Sequence, residues 1–420
     1  MTMQVRAGFM MIVALAMMGL ASCDHYNCST GATFGGSCTA SGSGLGTTTT
    51  GSATAAFVFV ADATGATSNG TIDGYTLNTS ASTFGPTSTY TAPATPLGDG
   101  GVGMVVAQAK YLYTGFGSTN QIFGWTIGSD GTLTAISGSP YSALFLVSVA
   151  TDFGTQSIIT NPAGTLLFFS ATGEDKIYVY QIGSDGGLTT VSASGFSVPF
   201  PPANLATDGL GKYLYVTQEL GNHTGSQVEA YSIGSTGVLT EVGTFSFPMW
   251  QVQGEPLGKF MIGTTGNNTV VNGSDNDNLY VFSISSTGAL SEVTGSPFAT
   301  QNSPLSIAVQ SNTNGNLVYS FGIADSDLAF NPVEGFTIGS TGTLTAVTGS
   351  PFSSAALGDM AAFDESGAFL FTYGGVATQG TTTVTYEMGA FDVASDGALT
   401  QTSSTLSLTS GGFFAVTDPQ

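Results

Sequence analysis

At 420 residues the chain is long enough for more than one domain, yet it holds only 5 basic residues against 27 acidic ones, for a formal net charge of -22. So acidic a surface repels phosphate backbones, which excludes nucleic acid as a partner, and it argues against electrostatic adsorption to anionic lipid. Gly, Ser and Thr abound, Lys, Glu and Arg are scarce, and 41% of residues are hydrophobic, so strands and turns around a large core are expected rather than helices or disorder.

The N-terminus reads as a targeting segment. "MTMQVR" carries one positive charge and the apolar run "AGFMMIVALAMMGL" (7–20) is too short for a membrane span. "LASC" (20–23) follows and resembles a bacterial lipobox, which implies cleavage before Cys23 and acylation of that cysteine. The alternative is ordinary cleavage near Ala21, with Cys23 a plain thiol. Acylation would place the mature chain outside the cytoplasm, in the cell envelope, held to a membrane by lipid on the periplasmic or surface side. Cys28 and Cys38 are then left as a candidate disulfide pair in an oxidising compartment. Residues 39–54, "TASGSGLGTTTTGSAT", form a Gly/Ser/Thr tether. The chain divides into a signal peptide (1–22), a Cys-containing tether (23–54) and one domain (55–420).

That domain repeats itself. "IGSDGTLTAISGSPY" at Ile127 returns from Ile182, Ile233, Ile284 and Ile338, with a worn copy from Val393, at intervals of 51 to 55 residues. A second series of short apolar runs keeps step: "AAFVFVA" (55), "KYLYTGF" (110), "GTLLFFS" (164), "GKYLYVT" (211), "GKFMIGT" (258), "GNLVYSF" (315) and "GAFLFTY" (367). With small inner segments such as "QSIITNP" and "LSIAVQS", each unit holds four short strands, which is a propeller blade. An immunoglobulin-like repeat needs nearly twice the length. The expected fold is an all-β, seven-bladed propeller of four-stranded antiparallel blades. The chain enters at a second strand and ends on a lone inner-type strand, "GGFFAVTDP" (411–419), so that strand should complete the first blade and close the ring. A closed ring buries its own edges, and a monomer is expected.

The repeated "SDG" or "STG" joins third strand to fourth. Asp130, Asp185 and Asp396 exchange with Thr236, Thr287 and Thr341, while Gly always follows. A metal ligand does not tolerate that exchange, whereas a turn with positive φ does. Function is therefore sought on the opposite, long-loop face. There Asp152, Glu174, Asp175 and Asp359 are candidates for binding a small molecule or a protein. No G-x-S-x-G elbow, H-E-x-x-H helix or phosphate loop occurs, and there are only two histidines, so no cofactor or metal site is assigned. "GSDNDNLY" (273–280) has alternating acids but lacks the Gly and distal Glu of an EF-hand, and reads as a polar loop.

The strand and turn pattern "DG-KYLYV … V-AYSIGS-G-LT-V" resembles the seven-bladed propeller lactonases, the family of 6-phosphogluconolactonase and carboxymuconate cyclase. In "KYLYVTQELGNHTGSQVEAY" (212–231) the resemblance makes Glu219 the match for a functional glutamate. "SATGEDKIYVY" (170–180) resembles the family's Gly-x-Asp-Arg/Lys loop. Gln156, Ala203 and Asn204 stand where the family's pattern implies His, Arg and His, and no arginine lies beyond Arg6. Lactone opening needs an activated water and a cation or donor for the oxyanion. The resemblance with these losses favours a ligand- or partner-binding scaffold. The second reading is a divergent lactonase acting on a neutral or carboxylated lactone, with Glu219 as base and His223 or Lys176 at the oxyanion.

Overall fold

The computed structural model describes residues 54–62, 69–78, 83–96, 101–116, 121–142, 157–218, 226–265, 278–301, 303–310, 316–323, 333–353, 360–377, 384–402, 405–408 and 412–419. Its strands form seven antiparallel sheets arranged as a ring of blades. Blade 4 shows the plan: Pro202–Thr207 innermost, then Tyr213–Gln218, Val228–Ile233 and Leu239–Phe245 outermost. The inner strands of successive blades face one another around the axis. Both faces of a blade are covered by neighbours, which is why second strands read as unbroken apolar runs. In Thr54–Asp62, Phe57, Phe59 and Ala61 pack towards blade 2, while Ala56, Val58 and Val60 pack towards blade 7. Seven such clusters fill seven seams, one core per seam.

The ring closes as the repeat order requires. The strand Gly412–Thr417 pairs antiparallel with Thr54–Asp62, from Phe57↔Thr417 to Asp62↔Gly412, and becomes the inner strand of blade 1. Phe414 then joins Val58, Phe371 and Tyr373 in the core of the seam with blade 7.

The repeated turn locks each blade to the one before it. Gly186 and Gly288 have φ of +81° and +86°, and a Cβ on either would fall within 2.6 Å of the Tyr111 or Tyr213 ring of the preceding blade. The tyrosine hydroxyls donate back into the same turns, Tyr113 to Gly186 O at 2.6 Å and Tyr215 to Gly288 O at 3.0 Å. The variable residue serves the turn itself: Asp130 Oδ1 accepts from the Thr132 amide, Asp185 Oδ1 from Gly187 and Asp396 Oδ1 from Ala398. The repeat is structural, as its Asp/Thr exchange implied.

One detail departs from the four-strand expectation. Blades 2, 3, 5 and 7 carry a fifth short strand, such as Tyr141–Ser142, paired with the third. A Gly-Ser-Pro follows the fourth strand in two of these, blades 2 and 5, and in four-stranded blade 6, while blades 3 and 7 reach a fifth strand without it. Proline has no amide proton for the ladder, and the serine hydroxyl accepts the third-strand amide instead: Gly124 to Ser139 Oγ, Val281 to Ser296 Oγ and Gly335 to Ser350 Oγ. In blades 2 and 5 the outer edge is thereby split in two, whereas blade 6 keeps only the single bridge Val333↔Phe352 at that place.

At the seam of blades 7 and 1, Asp364, Glu365 and Asp418 crowd together. The Glu365 amide donates to Asp418 Oδ1 at 3.2 Å and Thr417 Oγ1 donates to Glu365 Oε1 at 3.1 Å. Burial first, then the charges of Asp364 and Glu365, push the Asp418 carboxyl up to about 7. Its folded value exceeds the unfolded one, so the unfolded chain surrenders the proton first. Stability should thus be highest below the ordinary aspartate value of 3.8, fall as pH rises towards about 7, and level off above. Denaturant midpoints measured across that range check this, and Asp418→Asn should flatten the slope.

Candidate functional site

The long-loop face is built where second strands end and inner strands begin. In blade 3 the strand Leu166–Ala171 runs into a single 3-10 turn, Thr172–Glu174, and then into Lys176–Ile182. Asp175 ends the turn in the left-handed region (φ 54°, ψ 47°), which aspartate tolerates better than most residues. That bend brings Glu174 and Lys176 together, with Lys176 Nζ 3.6 Å from Glu174 Oε2. The same oxygen accepts the Tyr178 hydroxyl at 2.7 Å. Burial, then the hydrogen bond and charge of Glu174, raise the Tyr178 phenol well above its ordinary value. The ammonium of Lys176 is therefore engaged by a carboxylate on its own loop.

Towards the axis, the positions that resemble the family's Arg and His serve as struts between blades. Ala203 is 1% exposed and its carbonyl accepts the Ser170 hydroxyl of blade 3 at 3.0 Å. Asn204 donates through Nδ2 to the Trp250 carbonyl of blade 5 at 2.9 Å, and Thr217 Oγ1 donates to the same carbonyl at 2.8 Å. Blades 5 and 6 are tied likewise: Gln253 accepts from the Val309 amide and donates to the Ile307 carbonyl. Neutral side chains here satisfy inner-strand groups that have no sheet partner across a seam.

Glu219, His223, Asp152 and Asp359 lie outside the described residues, as do Gln156, Cys23, Cys28 and Cys38. Of the site residues expected from sequence, Glu174, Asp175 and Lys176 are described, and they share one loop. Among the described residues no group of three or more His, Cys, Asp or Glu is arranged to hold a metal ion.

Two features were not anticipated. A cavity of about 630 Å³ opens on the tight-turn face, at the axis, lined by Gln108, Asn161, Pro162, Asp208, Pro256 and Glu365 among others. Its polar groups are largely committed: Asp208 Oδ1 accepts the Lys212 and Tyr213 amides at 2.6 and 2.7 Å, and Asn161 Oδ1 accepts those of Thr165 and Leu166. The signal was the polar residue ending each inner strand, in "TNPAG", "TDGLG" and "GEPLG". The second is Glu229, fully buried in the third strand of blade 4. Its Oε2 accepts Thr244 Oγ1, while Oε1 has no hydrogen-bond partner among the described residues. Burial raises its carboxyl, holding it closer to the neutral form.

Residues 155–350 match the family model described as "Lactonase, 7-bladed beta-propeller". The resemblance read from the strands and turns is thus borne out. The chain is similar in structure to the periplasmic gluconolactonase of Pseudomonas aeruginosa, at 15% identity and a TM-score of 0.60, covering 87% of this chain and 99% of that one. A functionally unknown protein of Desulfotomaculum acetoxidans gives 13% identity and a TM-score of 0.59, with 87% and 99% covered. A Lactobacillus plantarum protein gives 16%, 0.57, 86% and 98%. At such identities the likeness is one of fold. No curated protein matches the chain in sequence.

Proposed function

We propose that this lactonase-type propeller is an exported, lipid-anchored scaffold that binds a small molecule or partner on its long-loop face without opening a lactone. The observation that carries this reading is the use made of the expected catalytic positions. Ala203 carries no side-chain donor, the Asn204 side chain is spent on an inter-blade strut, and Lys176 is paired to Glu174. An oxyanion needs a donor aimed at it and free to act, and a phosphorylated substrate needs cations besides. The export and anchoring parts rest on the "MTMQVR" to "LASC" segment and its Cys23. No helix among the described residues is long and apolar enough to cross a membrane.

A thermal-shift panel of neutral sugars, aldonic acids and aldonolactones tests the binding half. A ligand present at about a hundred times its Kd should stabilise the fold by about 2.7 kcal/mol. Recovery of that ligand chemically unchanged is the expected result, and its conversion to a hydroxy acid would contradict the reading. The lactonase alternative draws on the family match over residues 155–350, and it would assign Glu219 as base and His223 as donor.

A further inference from the structure

Glu229 has a sister. Its strand, Val228–Ile233, and the third strand of blade 6, Glu334–Ile338, both end on the isoleucine that opens the repeated turn, so Glu229 and Glu334 hold the same place, four residues earlier. Both are buried. In blade 6 that place is satisfied: Glu334 Oε1 and Oε2 accept the Gln301 amide at 2.8 and 2.9 Å, from the connection that leads in from blade 5. Gln301 stands three residues after Phe298 and three before Pro304. In the connection from blade 3 to blade 4, the residue three after Phe196 and three before Pro202 is Pro199. Proline has no amide proton to give. Glu229 Oε1 is accordingly left without a hydrogen-bond partner among the described residues, and only Oε2 is met, by the Thr244 hydroxyl.

A carboxylate so placed has too few donors to offset the cost of a buried charge, whereas a neutral carboxyl costs far less. Glu229 lies on the same strand face as Tyr231, in the seam with blade 3. No counter-charge is at hand there. Blade 3 presents Ile177, Val179, Val198 and Phe200 to this seam, and the second strand of blade 4 presents Val216. The fourth strand brings Glu241, whose charge opposes another beside it. The Lys176 ammonium of blade 3 is engaged by Glu174.

The seam also supports the long-loop face. The Tyr231 hydroxyl donates to Ser197 O at 2.8 Å, the Val198 amide to Asp175 O at 2.8 Å and the Thr172 hydroxyl to Pro202 O at 2.7 Å. The loop of Glu174, Asp175 and Lys176 is therefore hung at both ends on the connection that carries Pro199.

We propose that a proton on Glu229 seals the seam of blades 3 and 4, and that its loss admits water around residues 197–202 and slackens the loop of Glu174, Asp175 and Lys176. The device does not depend on what that loop binds. Burial, offset in part by the Thr244 hydrogen bond, raises the Glu229 carboxyl above its ordinary value of 4.5. The closed seam thus keeps a proton that the opened seam releases. Closure is favoured fully below 4.5, weakens as pH rises through the raised value, and levels off above it.

Amide exchange of the full chain, read by peptide mass spectrometry and corrected for the intrinsic pH dependence of exchange, tests this. Above 4.5 the protection of the Ser197 and Val198 amides should fall about tenfold per pH unit until Glu229 has ionised. Asp418 titrates at another seam, so the reading is the difference between the parent chain and Glu229→Gln, in which that part of the slope should vanish. Pro199→Gln and Pro199→Ala return the missing amide and should flatten the slope as well, and either one suffices if the other misfolds. Infrared spectra taken just above pH 4.5 should show a protonated-carboxyl band in the parent that Glu229→Gln lacks. Equal slopes in the parent and Glu229→Gln, or equal bands, would overturn the proposal. So would a folded Pro199→Gln chain that keeps the parent's slope.

Discussion

A Gly288→Val variant is expected to lose about 3–5 kcal/mol of stability, the sum of a left-handed backbone imposed on a side chain and an overpacked seam. At φ +86° the glycine has no Cβ to strain, and the added atom would sit 2.4 Å from Tyr213 Cδ1 and 2.6 Å from Cε1. Tyr213 cannot retreat cheaply, because its hydroxyl donates to Ser286 O at 2.7 Å in the same turn. The companion substitution Thr287→Asp sits one residue earlier, where three sister turns already carry aspartate. It should change stability by no more than about 0.5 kcal/mol. Denaturant titrations of both variants check the pair. Equal effects would mean that the turn is not what clamps blade 5 to blade 4.

Removing residues 412–420 should cost more still. The deleted strand supplies every sheet partner on the inner side of Thr54–Asp62, and Phe414 and Ala415 leave two seam cores with it. Loss of one buried phenylalanine alone costs about 3–5 kcal/mol, and an opened edge adds unpaired backbone groups. The total approaches the whole stability of a typical domain, about 5–15 kcal/mol, so the shortened chain is expected to be unfolded or aggregated at room temperature. A synthetic peptide covering 405–420, added in trans, should restore near-ultraviolet dichroism by strand addition. A shortened chain that folds and melts like the intact one would show that the ring does not depend on this closure.

The architecture was legible because the repeat carries its own punctuation. A glycine in six of the seven outer turns and an apolar run at every second strand give blade number, strand order and closure without any coordinates. What could not be read was how the seams are tied. The Asn204 and Gln253 struts reach about one blade ahead, 46 and 54 to 56 positions, but nothing in the residues themselves tells which backbone group each will meet. The Gly-Ser-Pro of blades 2, 5 and 6 was visible as a repeat, but its role depends on which third-strand amide the serine meets. The site was less legible than the fold for a related reason. Glu174 and Lys176 were candidates on separate grounds, and only the left-handed bend at Asp175 shows that they engage each other. Local turn chemistry is written in neighbouring residues, whereas a site is assembled from loops whose spacing varies.

The most direct test of the proposed function is acid release from the purified chain, followed by pH-stat over a panel of neutral and carboxylated lactones beside a Glu219→Gln variant. The scaffold reading predicts no release above buffer from either protein while both remain folded. Turnover by the parent chain that disappears in Glu219→Gln would contradict it, and would make the long-loop face of blade 4 a lactonase site.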